Sequence, residues 1–186
     1  MTINDYANDI VGLLWTIYIV YWIVSARKVK RDIRREGGWW ARLATTIIIG
    51  VILGFIAPVF LKPFFSQNTV VSIIALILTV VGIGLAIWAR YHLGANWSSR
   101  PSIKEGHELI TSGPYRFIRH PIYSGLLLAF IGTALINGLI WSFIFIAIAL
   151  NLIPKVLTEE RLMTQQFPEQ YPEYKKKTKA LIPFVW

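Results

Sequence analysis

Ile122-Tyr-Ser-Gly-Leu-Leu-Leu-Ala-Phe-Ile-Gly-Thr-Ala-Leu-Ile-Asn137-Gly138-Leu-Ile-Trp-Ser-Phe-Ile-Phe-Ile-Ala-Ile-Ala-Leu-Asn-Leu-Ile153 carries no ionised side chain from end to end. It is about twice as long as an ordinary soluble helix. Asn137-Gly138, a strong turn dipeptide, stands at its middle. The run therefore predicts two apolar arms, 122–136 and 139–153, folded back as a helical hairpin. Each arm holds about 15 residues and spans roughly 22 Å, short against about 30 Å of hydrocarbon. Pro154 is expected to end or kink the second arm.

Three further apolar segments, Ile10–Ala26, Leu43–Leu61 and Val70–Ala89, each approach the roughly 20 residues a spanning helix needs. The first opens after Asp9, a fitting cap. Its leader carries Asp5 and Asp9 in place of the basic residues of a cleavable signal, so it reads as a retained span. The 186 residues are 55% hydrophobic and 16% charged, without cysteine. That composition excludes disorder, a disulfide-stapled secreted domain and cysteine-ligated metal. The expected fold class is all-α integral membrane, with five transmembrane helices. Residues 1–89 supply three spans and residues 90–186 a C-terminal core, together one structural domain.

The charges orient it. Arg27, Lys28, Lys30, Arg31, Arg34, Arg35 and Arg42 follow the first span, and only Lys62 follows the second. The third loop holds Arg90, Arg100, Lys104, Arg116 and Arg119; the tail holds Lys155, Arg161, Lys175, Lys176, Lys177 and Lys179. By the positive-inside rule both basic loops and the tail face the cytoplasm and the N-terminus faces outward, a parity that five passes satisfy. Topology and anionic lipid account for the net charge of +9, without nucleic acid. Gly50-xxx-Gly54 reads as close helix packing within the chain, with dimerisation the alternative. Gly82-x-Gly84 lies inside a membrane helix and is no nucleotide loop. Trp39-Trp40 fits an interfacial belt.

Chemistry is expected in the polar stretches. The third loop contains all three histidines, His92, His107 and His120, and ends Gly113-Pro-Tyr-Arg-Phe-Ile-Arg-His-Pro-Ile-Tyr123. Pro121 favours the first position of a helix and holds His120 extended at its cap. Unpaired backbone N–H groups there, with Arg119 beside them, suit an anion; interfacial anchoring is the alternative. Past Pro154, Thr158 can cap a helix with Glu159 and Glu160 in its first turn. The same carboxylates would suit a bound cation such as a sulfonium or ammonium. An antiparallel hairpin brings His120 and Glu159 together, an arrangement matched to a zwitterion.

Arg119-His120-Pro121-Ile122-Tyr123-Ser124-Gly125, preceded by Gly113-Pro-Tyr115 and followed by Glu159-Glu160, resembles the motif of the isoprenylcysteine carboxyl methyltransferases, grouped with the phospholipid N-methyltransferases. The resemblance covers roughly His92 to Pro183, including Glu169-Gln-Tyr-Pro-Glu-Tyr-Lys175. It implies an S-adenosylmethionine site without a Rossmann domain. By motif position, Arg100, His107, Glu108, Leu109, Ile110, Tyr115, His120, Pro121, Ile122, Tyr123 and Glu159 would contact the cofactor. Lys155 and Arg119 would be catalytic, and no metal is implied. Arg100 stands where the family has Gln, Lys155 where it has an Arg that meets the substrate carboxylate, and Met163 replaces a Leu. A Lys pairs a carboxylate without the bidentate fork.

The acceptor expected is a lipophilic small molecule or lipid reaching the cytoplasmic interface from the bilayer, and the small size points by analogy to a prokaryotic inner membrane. Two other readings stand beside this one. A sterol-type reductase would hold a dinucleotide, using Arg116 and Arg119. A non-enzymatic basic adaptor would hold anionic lipid through loop one and Lys175–Lys177.

Overall fold

The computed structural model describes residues 3–36, 44, 46–48, 50–51 and 68–181. The expected second span, Leu43–Leu61, together with Trp39-Trp40 and Gly54, lies largely or wholly outside the described residues. The elements in chain order are α1 (Ile3–Ala26), β1 (Asp32–Arg35), α2 (Thr69–Leu93), β2 (Ser102–Lys104), α3 (Pro121–Asn137), α4 (Leu139–Gln166) and α5 (Gln170–Lys177). Short 3-10 turns occupy Gly94–Asn96 and Gly113–Arg116.

Three described helices, Tyr6–Ala26, Thr69–Asn96 and Trp141–Gln166, are long and apolar enough to cross a membrane; Pro121–Asn137 is a shorter apolar helix. Leu13, Val20, Ile77, Val81, Ile146 and Leu150 are exposed along them, and hydrocarbon solvates such a face without cost. Chain reversal falls at the expected dipeptide. Gly138 takes φ 78°, left-handed territory where a Cβ is penalised, and its N–H closes on the Ala134 carbonyl.

The principal neighbour of α3 is α2, and glycine makes the contact. A Cβ on Gly125 would lie 2.5 Å from the Gly82 carbonyl oxygen, and one on Gly132 2.5 Å from that of Ala75. Such backbone approach is how helices associate where lipid removes the hydrophobic drive. From α1, Trp15 donates through Nε1 to Thr133 Oγ1 at 2.9 Å. From α4, Asn151 Nδ2 donates to Thr46 Oγ1 at 3.1 Å.

Two expectations are corrected here. Pro154 neither ends α4 nor starts a new helix: α4 runs for 28 residues with Pro154 inside it. Glu159 and Glu160 therefore sit in a helix interior, and Thr158 caps nothing, its hydroxyl donating instead to the Pro154 carbonyl at 2.9 Å. The fold is also not purely helical. Strand β1 pairs antiparallel with β2, Asp32 opposite Lys104 and Arg35 opposite Ser102, with an irregularity between Asp32 and Arg34. Lys104 Nζ meets Asp32 Oδ1 at 2.7 Å, and Ser102 Oγ donates to the same oxygen at 2.7 Å. Burial opposes ionisation of Asp32, but hydrogen bonds from Lys104, Ser102 and Arg35 outweigh it and hold the carboxyl below its usual value. Loop one and loop three thus share one end of the helices, and Arg34 donating to Gln165 Oε1 at 3.1 Å brings the end of α4 there too.

Candidate functional site

At that end lies a half-open cavity with about 800 Å³ of empty space, its open mouth included. Leu93 closes α2 below it, and Asn96, Trp97 and Ser98 follow from the 3-10 turn. Arg100 and Ser102, the segment His107 to Ile110, and Tyr115 line one side. Arg119, His120, Ile122 and Tyr123 come from the start of α3, Glu159 and Met163 from α4, and Tyr171 and Tyr174 from α5.

His120 is the N-cap of α3 with Pro121 following, as the sequence predicts, but at φ −125° and ψ 58° its backbone is not the extended one expected; its side chain makes no cap hydrogen bond. The imidazole instead enters the cavity wall. Its Nδ1 lies 3.5 Å from Glu159 Oε2. Its Nε2 is buried with no hydrogen-bond partner; Glu160 Oε1 stands 3.6 Å away. Burial lowers the imidazole's basicity, yet the two carboxylates outweigh it and raise the pKa above 6.5. Tyr123 donates its hydroxyl to Glu159 Oε1 at 2.6 Å, and its ring stacks at 7° on His120 with centroids 5.6 Å apart.

His107 differs. Its Nδ1 accepts the Lys104 backbone N–H at 3.1 Å, which places a neutral ring's proton on Nε2. Burial, with the Lys30 and Lys104 charges, pushes its pKa down and keeps it neutral. The Tyr115 phenol is raised by burial, and that of Tyr174 is lifted to about 12 mainly by burial, so both stay protonated. Tyr174 donates to the Tyr115 carbonyl at 2.6 Å, tying α5 to the loop.

Eleven of the thirteen site residues expected from sequence line the cavity: Arg100, His107, Glu108, Leu109, Ile110, Tyr115, Arg119, His120, Ile122, Tyr123 and Glu159. Pro121 is buried behind them as the first residue of α3. Lys155 is also buried outside the lining, its Nζ 4.9 Å from the Tyr123 ring centroid, 4.0 Å from Glu159 Oε1 and 3.3 Å from the Ser99 carbonyl. Arg119, expected beside the helix end as a charge for an anion, is paired within the chain. Its Nε bonds Glu160 Oε1 at 2.7 Å, and its Nη1 reaches the Lys175 and Thr178 carbonyls. Sequence reasoning missed Trp97, Asn96, Tyr171 and Tyr174. The last two stand three apart, a spacing that puts both on one helix face.

The arrangement is that of a mostly helical protein, its long apolar helices suited to a membrane, with a cavity at one end lined by aromatic, charged and apolar side chains. Residues 70–170 match the phospholipid methyltransferase family, and the chain belongs to that family. It is 29% identical over 138 residues to protein-S-isoprenylcysteine O-methyltransferase B of Arabidopsis thaliana, covering 72% of this chain and 70% of that protein. It is 30% identical over 152 residues to the cobalt-zinc-cadmium resistance protein CzcN of Cupriavidus metallidurans, covering 81% of this chain and 64% of that one. In fold it is similar to a eukaryotic intramembrane Ras methyltransferase, isoprenylcysteine carboxyl methyltransferase, with a TM-score of 0.58 at 24% identity over 78% of this chain. The chain spans 53% of that neighbour's length.

Proposed function

We propose that this protein transfers a methyl group from S-adenosylmethionine to a lipophilic acceptor dissolved in the bilayer, at the cytoplasmic face. The observation that carries the reading is the convergence of His120, Tyr123 and Glu159 in one cavity directly beyond the apolar helices. The donor is a zwitterion with an added sulfonium charge, and the residues present fit it. His120, lining the cavity, offers an imidazole to a carboxylate. Glu159 offers negative charge to a cation, and Trp97 and Tyr115 offer flat walls to a base. When bound, S-adenosylmethionine supplies an electrophilic methyl whose leaving group departs neutral.

The chain's own contribution is positioning. Tyr123, held between the imidazole and the Lys155 ammonium, fixes the carboxylate of Glu159 through its hydroxyl. Lys155 acts through that tyrosine, and Arg119 through Glu160. Holding two reactants in line contributes on the order of 7–11 kcal/mol to such a displacement. Exposed Trp88 and Tyr91 near the end of α2 suit an interfacial belt, which supports a lipid headgroup meeting the cavity at that end. Family membership favours methyl transfer over the dinucleotide-reductase and lipid-adaptor readings.

The test is transfer of tritium from labelled donor into lipid extracts by protein in nanodiscs, with calorimetry of donor binding. Saturable heat diminished by His120→Ala and Glu159→Gln, with label in a lipid-tailed product, is expected. Better methylation of a water-soluble acceptor would overturn the acceptor class, and absence of binding heat would overturn the whole.

A further inference from the structure

The two adjacent glutamates of α4 face different ways. Glu159 lines the cavity; Glu160, only 6% exposed, lies outside its wall. Three cationic or ionisable donors from two other parts of the chain converge on Glu160. Arg119 Nε meets its Oε1 at 2.7 Å with both side chains buried. Lys175 Nζ, from α5, meets its Oε2 at 2.6 Å. His120 Nε2 is 3.6 Å from Oε1.

What these donors hold is the outer wall of the cavity. Helix α5 has only eight residues, too few to persist alone in water. It presents Tyr171 and Tyr174 to the cavity. Arg119, fixed by Glu160, also bonds the carbonyls of Lys175 and Thr178 at the end of that helix. The following residues lie along the motif, with the Arg119 N–H donating to Lys179 O at 2.8 Å and the His120 N–H to Ala180 O at 3.0 Å. One carboxylate thus ties α4 to the start of α3 and to the tail.

We propose that Glu160 is a positioning residue for donor binding: without touching the donor, it clamps α5 over the cavity through Arg119 and Lys175. The inference rests on the methyl-donor reading of the cavity. A glutamate that only stabilised the fold would lower the melting temperature and leave the affinity of the folded protein unchanged. A clamp alters affinity and the exposure of α5 together.

The test uses Glu160→Gln and Lys175→Met in nanodiscs, with S-adenosylmethionine calorimetry, methyl-transfer kinetics and the rate of tryptic cleavage within 175–179. Glu160→Gln is expected to raise the donor Kd and KM about tenfold or more, with kcat at saturating donor within about threefold. Lys175→Met, which removes the half-exposed partner, is expected to raise Kd by about two- to fivefold. Both are expected to speed cleavage, and saturating donor slows it in the wild type. If Glu160→Gln does not fold, Lys175→Met decides the matter alone. Wild-type affinity and cleavage rates in the folded variants would overturn the proposal while the wild type still binds donor. No saturable binding by the wild type would instead remove the donor reading beneath it.

Discussion

Replacing Tyr123 with Phe removes one oxygen atom from the centre of the cavity wall and little else. The ring that stacks on His120 and lies beneath Lys155 Nζ is retained. What disappears is the 2.6 Å hydrogen bond to Glu159 Oε1. A hydrogen bond to a charged group contributes about 1.5–3 kcal/mol, and 1.4 kcal/mol is a factor of ten. Glu159 keeps His120 Nδ1 at 3.5 Å and Lys155 at 4.0 Å, so the carboxylate stays charged but can swing. Donor affinity measured by calorimetry in nanodiscs is therefore expected to fall about tenfold, toward the low end of that range. Tyr123→Ala, which also deletes the half-buried ring, is expected to cost about 2 kcal/mol of stability as well. The reasoning is refuted if Tyr123→Phe binds donor like the wild type. It is equally refuted if Phe and Ala are indistinguishable, because the ring alone would then carry the effect.

Gly125→Ala puts a methyl group 2.5 Å from the Gly82 carbonyl, which as backbone cannot turn aside. Overpacking of about 3 kcal/mol against about 1 kcal/mol of helix propensity leaves a net loss near 2 kcal/mol, read as a lower melting temperature. Gly84→Ala, which meets nothing within 4 Å, is the control and should be neutral or stabilising. His120 has its folded pKa raised, so its contribution is complete below about pH 6.5 and is lost as pH climbs through the higher folded value. The stability difference between wild type and His120→Gln should accordingly shrink with rising pH; a pH-independent difference would contradict the pairing with Glu159 and Glu160. Asp32→Asn strands the buried Lys104 ammonium and should cost about 3 kcal/mol, more than the double change with Lys104→Met.

The hairpin was legible because Asn137-Gly138 is a backbone signal that needs no partner. Pro154 does not end the arm because its local effect is confined: it deprives the Leu150 carbonyl of an N–H, while α4 runs on through it in apolar surroundings that offer no water to replace the helix's own bonds. The strand Asp32–Arg35 holds one apolar residue, the exposed Ile33, among three charged ones, and its order comes from Ser102 and Lys104, about 70 positions away, so no local pattern announces it. The motif around His120 revealed most of the cavity because it folds as one corner. The pairing of Arg119 was hidden for a related reason: Glu160 meets it from another helix, and sequence spacing says nothing about that encounter. Tyr171 and Tyr174 enter the site from the tail only once Lys175 and Arg119 have found the same carboxylate.

The glycine seam between α2 and α3 also restricts traffic. Where two backbones touch through Gly82, Gly125 and Gly132, no acyl chain can pass between them. For the proposed tailed acceptor, the flank where Ile153 and Leu157 of α4 face outward is the expected line of approach. A photoreactive lipid analogue should consequently label α4 and spare the seam, and equal labelling of both would place the doorway elsewhere.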